Sequence, residues 1–397
     1  MYFLGITIPI LFIVLSSYII WKSTDAFETA ADYLGRNMSK GVKGATINAV
    51  ASSMPEFLTT MFFLFYIKDE GNFADSFSGG LGVTAGSAIF NILIIPAAIL
   101  LVGTLKNKSY SFSLDRNVIK RDGLFLVFAN IALLLILITR SSLNEIDGIV
   151  LIFIYILYLF FLRKGLGLKN NSAVKDEVFQ TEKVKIKLSH FLKLDIKQII
   201  LNGKTLTFFN AWFTLILATG IMSLGTWLLV EGTELLGQTN YSLFGIDNFH
   251  GLGLPIIFIS VLLASAATSI PDTMISVRDA KKGNFDDSIS NAFGSNIFDI
   301  SFALGLPLLL FTLIHGEISL SPEVRIWSLS VWLMMAMINL IVIPVFIFSR
   351  KINRRRGLIF IVLYILFIFF VIEENTRLGW VSRVAGSLLE YSGELGF

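Results

Sequence analysis

The sequence predicts an all-α polytopic membrane protein whose ten transmembrane helices form two inverted five-helix repeats. Three observations carry that prediction: the composition, the loops on which Lys and Arg collect, and an internal duplication of polar segments. Of 397 residues, 54% are apolar and only 15% charged, and the net charge is +3. The mean hydropathy is +0.74. A soluble domain averages about 25% charged residues, whereas the apolar runs here repeatedly reach the roughly 20 residues that a helix needs to cross a bilayer. Leu, Ile and Phe dominate these runs, without the alternation of a barrel strand. The basic residues are dispersed over the loops and leave no nucleic-acid footprint. Because the chain has no cysteine, disulfides and thiolate metal sites are excluded.

In chain order, the apolar runs predict helices over 4–34, 41–66, 78–102, 121–139 and 147–163 in a first half, residues 1–163. They predict helices over 206–237, 251–278, 286–313, 325–349 and 357–374 in a second half, residues 206–397. The opening MYFLGITIPILFIVLSSYIIW has no basic leader and no small-residue cleavage site, so it reads as a retained helix rather than a signal peptide. The same helix later carries Asp25, Glu28 and Asp32 at helical spacing, one polar face turned to the bundle or the interface. Residues 164–205 form a Lys-rich linker, expected on the cytoplasmic membrane surface and too short for an inserted regulatory domain. Ten crossings put 27 of the 32 Lys and Arg on one set of loops and five on the other. The positive-inside rule then places both termini outside and the linker in the cytoplasm. The expected location is the plasma (inner) membrane of a prokaryote.

Five helices per half invert the second half relative to the first. Within the halves lie two copies of one polar pattern. The first repeat, 41–102, holds ASSMPEFLTT and GSAIFNIL; the second, 251–313, holds ATSIPDT and GSNIFDIS, about two hundred residues later. Even the connectors match, GNFADS from Gly71 and GNFDDS from Gly283. Inverted repeats with polar, interrupted helices at corresponding positions point to a transporter site near the midplane.

The chemistry of that site follows from its residue types. Glu56, Asp272 and Asp299 fall inside predicted spans, with no Lys or Arg in the same turns. An ionised carboxylate at bilayer depth costs about 3 kcal/mol or more, so it needs a partner. The missing positive charge must come from outside the chain, as a bound metal ion or as protons. Ser52 and Ser53 precede Glu56 by four and three residues, and Thr268 and Ser269 stand likewise before Asp272. Ser87 precedes Asn91 by four, and Ser295 precedes Asp299 by four. Each set lies on one helical face. A proline inside a helix leaves the carbonyl four residues back without its donor, so Pro55 frees that of Ala51 and Pro271 that of Ala267. Carboxylate, amide, hydroxyl and carbonyl oxygen without sulfur or imidazole suit Ca2+ or Na+ and not zinc or copper.

Each residue alone has a plainer reading. A membrane Ser or Thr is usually bonded back to its own helix, and Gly44, Gly86 and Gly294 read as packing contacts. A proline can simply kink, and an acid can be a protonated structural carboxyl. Two copies of the same polar set at matched spacing are hard to produce as packing accidents, and that weighs for a site. Asp75, Asp279, Asp286 and Asp287 lie near helix ends, where solvated or capping roles are expected. His250 and His315 are expected at the surface.

These segments resemble the α-repeats of the cation/Ca2+ exchanger superfamily, in its Na+/Ca2+ exchanger branches including the K+-dependent one. The likeness spans nearly the whole chain, from WKSTDAFETAADYLGRNMSKGVKGATINAVASSMPEF onward. The resemblance implies that Glu56, Asn91, Asp272 and Asp299 bind the transported ions, supported by Ser52, Ser53, Ser87, Thr268, Ser269 and Ser295. Ala51-Ser52-Ser53 departs from the usual Gly-Thr-Ser, and Ala267 replaces the second repeat's Gly. GNFDDSISNAFGSNIFDI is most similar to the K+-dependent branch, where the Asp matching Asp299 is associated with K+ co-transport. The family fold, ten helices in two inverted halves, agrees with the independent count above.

The resemblance implies a secondary antiporter rather than an enzyme, moving Ca2+ against Na+ by alternating access. K+ co-transport is left open by Asp299, and an H+-coupled exchanger of Ca2+ or another divalent ion is the alternative. Ca2+ and Na+ would be substrates and the bilayer the surroundings, with no resident cofactor, nucleic acid or protein partner implied. The helices over 4–34 and 206–237 are the candidate gate. An intramembrane aspartyl protease would need a Gly-x-Gly-Asp element, which IPDT and IFDI lack. A passive channel would normally oligomerise around a pore rather than carry its own inverted pair.

Overall fold

The computed structural model describes residues 2–36, 44–67, 73–106, 111–165, 183, 185–349, 351–376 and 379–394. In the first half, α1 (Tyr2–Leu34) is followed by a π turn (Gly44–Asn48) that leads into α2 (Ala49–Phe65), and then by α3 (Phe73–Lys106), α4 (Arg116–Thr139) and α5 (Glu145–Gly165). Two short linker helices, α6 (Leu188–Leu192) and α7 (Ile196–Leu201), precede α8 (Phe208–Gly237). Next comes a composite span: α9 (Ile256–Ile259), a π turn (Ser260–Ala264), α10 (Ser265–Thr268) and α11 (Ile270–Lys281). Its return partner is α12 (Phe285–Phe298), a third π turn (Asp299–Ala303) and α13 (Leu304–His315). The chain closes with α14 (Pro322–Phe348), α15 (Arg354–Thr376) and α16 (Trp380–Glu394).

Among the described residues, nine helical stretches are long and apolar enough to cross a membrane. The tenth expected crossing, 41–66, falls short by that measure because the π turn leaves α2 with only 17 residues, five of them the buried polar Ser52, Ser53, Glu56, Thr59 and Thr60. Residues 41–43 and the beginning of the first connector, Gly71, lie outside the described residues, as do 166–182 and 184 of the linker. The span expected over 251–278 begins at Ile256, since Pro255 and the left-handed Gly253 (φ +64°) hold the preceding residues out of helix. It is also broken at Ser269, so Pro271 sits in the first turn of α11, where a missing N–H is harmless. Composition gave no sign of the linker helices, a short hairpin or α16.

The surface is inside-out relative to a soluble protein. Phe128, Phe153, Phe213, Leu340 and Phe369 are exposed, while Ser, Thr, Asn and acidic side chains are fully buried between helices. That distribution suits hydrocarbon outside and polar groups satisfied within.

Close crossings explain several glycines. A Cβ on Gly86 of α3 would sit 2.2 Å from Val261 O and 2.5 Å from Ser265 Oγ, so α3 meets the π turn Ser260–Ala264 backbone to backbone. Gly86 is thus a packing contact as well as a motif residue. On α8, Gly225 and Gly232 let α1 approach, with Ile19 Cγ2 and Pro9 O each 2.9 Å from the added Cβ. The hairpin β3 (Tyr241–Leu243) and β4 (Ile246–Phe249) clasps the start of α1: Tyr241 Oη donates to Gly5 O at 2.7 Å, and the rings of Tyr2 and His250 stack 4.1 Å apart. His250 is half-buried by that stack, whereas His315 is exposed. Burial pushes the Tyr241 phenol above its ordinary pKa. Midway along α1, Tyr18 donates to Lys193 O at 3.1 Å, and nearer its C-terminal end Phe27 packs with Ile196 and Met222.

Two small ladders join the halves. β1 (Ser111–Phe112), between α3 and α4, pairs antiparallel with β6 (Ile352–Asn353), between α14 and α15. β2 (Ser142–Leu143), between α4 and α5, pairs with β5 (Ile318–Ser319), between α13 and α14. The acidic face of α1 meets α11: Arg278 contacts Glu28 at 2.7 Å and Asp25 at 2.9 Å. A second buried acid, Asp122 of α4, is held by Arg121 at 2.6 Å, Tyr158 at 3.2 Å and Ser290 at 2.7 Å.

Candidate functional site

Four segments bring the expected residues together in the middle of the bundle. α2 carries Ser52, Ser53 and Glu56; α3 carries Ser87 and Asn91; the α10–α11 junction carries Thr268, Ser269 and Asp272; α12 and its π turn carry Ser295 and Asp299. All ten side chains are fully buried, and Ala51 and Ala267 are buried beside them. The backbone is built for this. The π turns ending at Asn48 and Ala264 each close eight residues before the acid of their own repeat, Glu56 or Asp272. Such turns insert one residue per helix and recur at functional sites. The third π turn begins at Asp299 itself, whereas Asn91 lies in the unbroken α3, so the copies differ at that point.

The hydrogen bonds cross between repeats. Ser87 Oγ donates to Glu56 Oε1 at 2.9 Å, and Ser269 Oγ donates to Ser87 Oγ at 3.0 Å. Asp272 accepts from Ser295 Oγ at 2.7 Å and Asn291 Nδ2 at 3.4 Å through Oδ1, and from Asn91 Nδ2 at 2.9 Å through Oδ2. Asn91 Nδ2 also donates to Asn296 Oδ1 at 3.1 Å, and Asn296 Nδ2 to Ala88 O at 2.9 Å. Ser52 Oγ lies 3.2 Å from Ser295 Oγ while bonding back to Asn48 O at 2.9 Å. Thr268 bonds back to Ser265 O at 3.1 Å, the plainer role open to a membrane threonine.

A set of oxygens is left over. Among the described residues, Glu56 Oε2, Asn91 Oδ1, both carboxylate oxygens of Asp299 and Ser53 Oγ are buried with no hydrogen-bond partner. Ser53 and Ser87 stand near Asp299 without closing a bond of good geometry. The described ion pairs use Arg121, Arg140 and Arg278 on other acids, and none involves Glu56, Asp272 or Asp299. Nor do three acidic or His side chains close on a common point among the described residues. Hydroxyl and amide groups separate the carboxylates instead. Buried acceptors without donors are costly, and an all-oxygen pocket rich in them can take a hard cation or protons.

The repeat pattern did not single out Asn291 and Asn296. Asn291, Ser295 and Asp299 are spaced by four on one helical face, and Asn296 stands where the first copy has Ala88. Aligning the copies residue by residue exposes both. Among the peripheral acids, Asp286 accepts from Asp115 N at 2.7 Å, a capping type of contact.

The model of the sodium/calcium exchanger protein family matches residues 8–164 and 210–373, most of the chain. The chain belongs to the sodium/calcium exchanger family. That family is one of transporters, and the chain is an integral membrane protein. Sodium/potassium/calcium exchanger 4 of mouse is 32% identical over 168 residues, covering 41% of this chain and 25% of that protein. Human sodium/potassium/calcium exchanger 2 is 32% identical over 117 residues, covering 30% of this chain and 18% of that protein. The chain thus matches about a quarter or less of the length of these relatives. The fold is that of solved exchangers. The H+/Ca2+ exchanger CAX superposes with a TM-score of 0.64 at 14% identity, over 98% of this chain and 87% of that one. The sodium-calcium exchanger NCX_Mj superposes with a TM-score of 0.54 at 22% identity, over 92% of this chain and 98% of that one.

Proposed function

We propose that this family member is a secondary antiporter exchanging Ca2+ for Na+, with Glu56, Asn91, Asp272 and Asp299 as the central ligands. One observation carries the reading: three fully buried acids share an all-oxygen enclosure with unpaired oxygens and no cationic side chain among the described residues. One Ca2+ with a further monovalent ion or proton, or several Na+, would neutralise the three carboxylates. An empty, ionised site is costly at bilayer depth, so access alternates with the site filled. Exchange follows from competitive occupancy, without covalent chemistry or a resident cofactor. Ser53 Oγ and Glu56 Oε2 supply free acceptors on α2, where Pro55 inside the helix withholds a donor from the carbonyl of Ala51, whereas the break at Ser269 removes that argument for Ala267. In this reading both termini face outward and the linker lies in the cytoplasm.

The test is 45Ca2+ uptake into proteoliposomes loaded with Na+, K+ or acid and diluted into medium without the loaded ion. Uptake driven by the Na+ gradient is expected, and its dependence on added K+ reports the role of Asp299. Uptake driven only by acid loading would make the protein an H+-coupled exchanger. Absence of gradient-driven uptake in every batch would refute Ca2+ exchange.

A further inference from the structure

Asn296 belongs to the polar site, and both ends of its amide are engaged within the protein. Nδ2 donates to Ala88 O at 2.9 Å. A backbone carbonyl only accepts, so this contact fixes which way the Asn296 amide is turned. Oδ1 must then face the other way, where it accepts from Asn91 Nδ2 at 3.1 Å. Asp272 Oδ2 accepts from the same nitrogen at 2.9 Å. Two close acceptors therefore pin the NH2 of Asn91, with Ser87 Oγ farther off at 3.5 Å, and its Oδ1, buried, has no hydrogen-bond partner among the described residues.

The terminal torsion of an Asn side chain is broad and roughly two-fold, so an unpinned amide readily turns its NH2 to where its oxygen was. An NH2 facing a cation repels it; a carbonyl oxygen coordinates it. Of the two groups holding Asn91, Asp272 is itself a proposed ligand, drawn toward any ion that enters. Asn296 carries no charge, and its oxygen is already engaged by Asn91. We propose that Asn296 is a positioning residue that turns the Asn91 amide so that oxygen, not nitrogen, faces the transported cation. The proposal rests on the ion-exchange reading above. The device exists in one repeat only: Ala88 holds the matched position in the first copy, and it contributes the carbonyl that orients Asn296.

A double-mutant cycle tests it, read as the Ca2+ concentration for half-maximal uptake and as Ca2+ affinity by calorimetry on purified protein. Asn296→Ala, the residue of the other copy, and Asn296→Ser, whose hydroxyl can bond back to its own helix, are each expected to weaken Ca2+ about tenfold, as loss of an outer-shell orienting partner does. Maximal flux is expected to stay within about twofold. In an Asn91→Ala background the same substitutions are expected to add less than a twofold loss, because there is no amide left to orient. A direct ligand or a packing residue would repeat its tenfold effect in that background. Such additivity, or unchanged affinity in both single variants, overturns the positioning role while wild-type exchange stands. Wild-type protein that neither binds nor carries Ca2+ overturns the exchange reading and this inference with it.

Discussion

Replacing Asp272 by Asn separates a ligand from a structural acid. The variant is nearly isosteric, and its contacts show what it keeps. The remaining Oδ1 of the amide can still accept from Asn91 Nδ2, which lies 2.9 Å from the present Oδ2. The new NH2 then meets Ser295 Oγ, now at 2.7 Å, whose hydroxyl turns round to accept and passes its own proton toward Ser52 Oγ at 3.2 Å. Only the long contact from Asn291 at 3.4 Å is lost. One weak hydrogen bond contributes about 1 kcal/mol or less, so the ion-free thermal midpoint is expected within about 2 °C of wild type. The ion pays a larger penalty. A full carboxylate charge about 2.4 Å from Ca2+ contributes about 14 kcal/mol at an effective dielectric constant of about 20. Ion desolvation and the amide dipole that remains offset most of this. If about one fifth survives, about 2.8 kcal/mol, Ca2+ binding weakens about a hundredfold. Equilibrium 45Ca2+ binding and ion-free thermal unfolding measure the two halves of the prediction. Binding within threefold of wild type would refute the ligand assignment, and a midpoint more than about 10 °C lower would make Asp272 a structural acid.

Three further outcomes are expected. Asp299→Asn changes the monovalent dependence of uptake more than it changes folding, because both carboxylate oxygens lack protein partners among the described residues; identical responses to Na+ and K+ gradients would count against that role. Arg278→Gln strands Glu28, whose side chain is only 9% exposed. Discounted for the half-open surroundings of Arg278, the loss is about 1 kcal/mol, seen as a midpoint about 2 °C lower and narrowed in 1 M salt, where screening reaches about 3 Å. Gly86→Ala drives a methyl into Val261 O, which no rotamer change relieves, so monodisperse protein is expected to be lost; Gly220→Ala meets nothing within 4 Å and leaves size-exclusion profiles unchanged.

Much of this architecture was legible in the chain because bilayer-spanning helices announce themselves by apolar length, and a duplicated polar pattern stands out against that background. The segments around Glu56, Asn91, Asp272 and Asp299 do meet in one buried region. What stayed hidden depends on contacts distant in sequence or on backbone details without a residue signature. Arg278 finds Glu28 across 250 positions, and nothing local to either names the other. The π turns before Glu56 and Asp272 are written in ordinary small and apolar residues, GATIN and SVLLA. The ladders are two residues long, too short for any alternation to show. Asn296 acts across the repeats, and its meaning appears only when Ala88 O and Asn91 are placed beside it.

The two short ladders have a mechanical consequence. Each fastens a loop of the first half to a loop of the second, one where α3 and α4 meet α14 and α15, the other where α4 and α5 meet α13 and α14. Six helices, three from each copy, are thereby sewn into one frame at both of its faces. α1 and α8, also one from each copy, are instead bound to each other through Gly225, Gly232 and the hairpin at Gly5. Halves sewn together in this way cannot rock as two rigid bodies without tearing the seams. The unsewn boundary runs between the frame and the α1–α8 pair, and the Arg278 contacts with Asp25 and Glu28 lie across it. The line of duplication in the sequence and the line along which the molecule can part are two different cuts through the same chain.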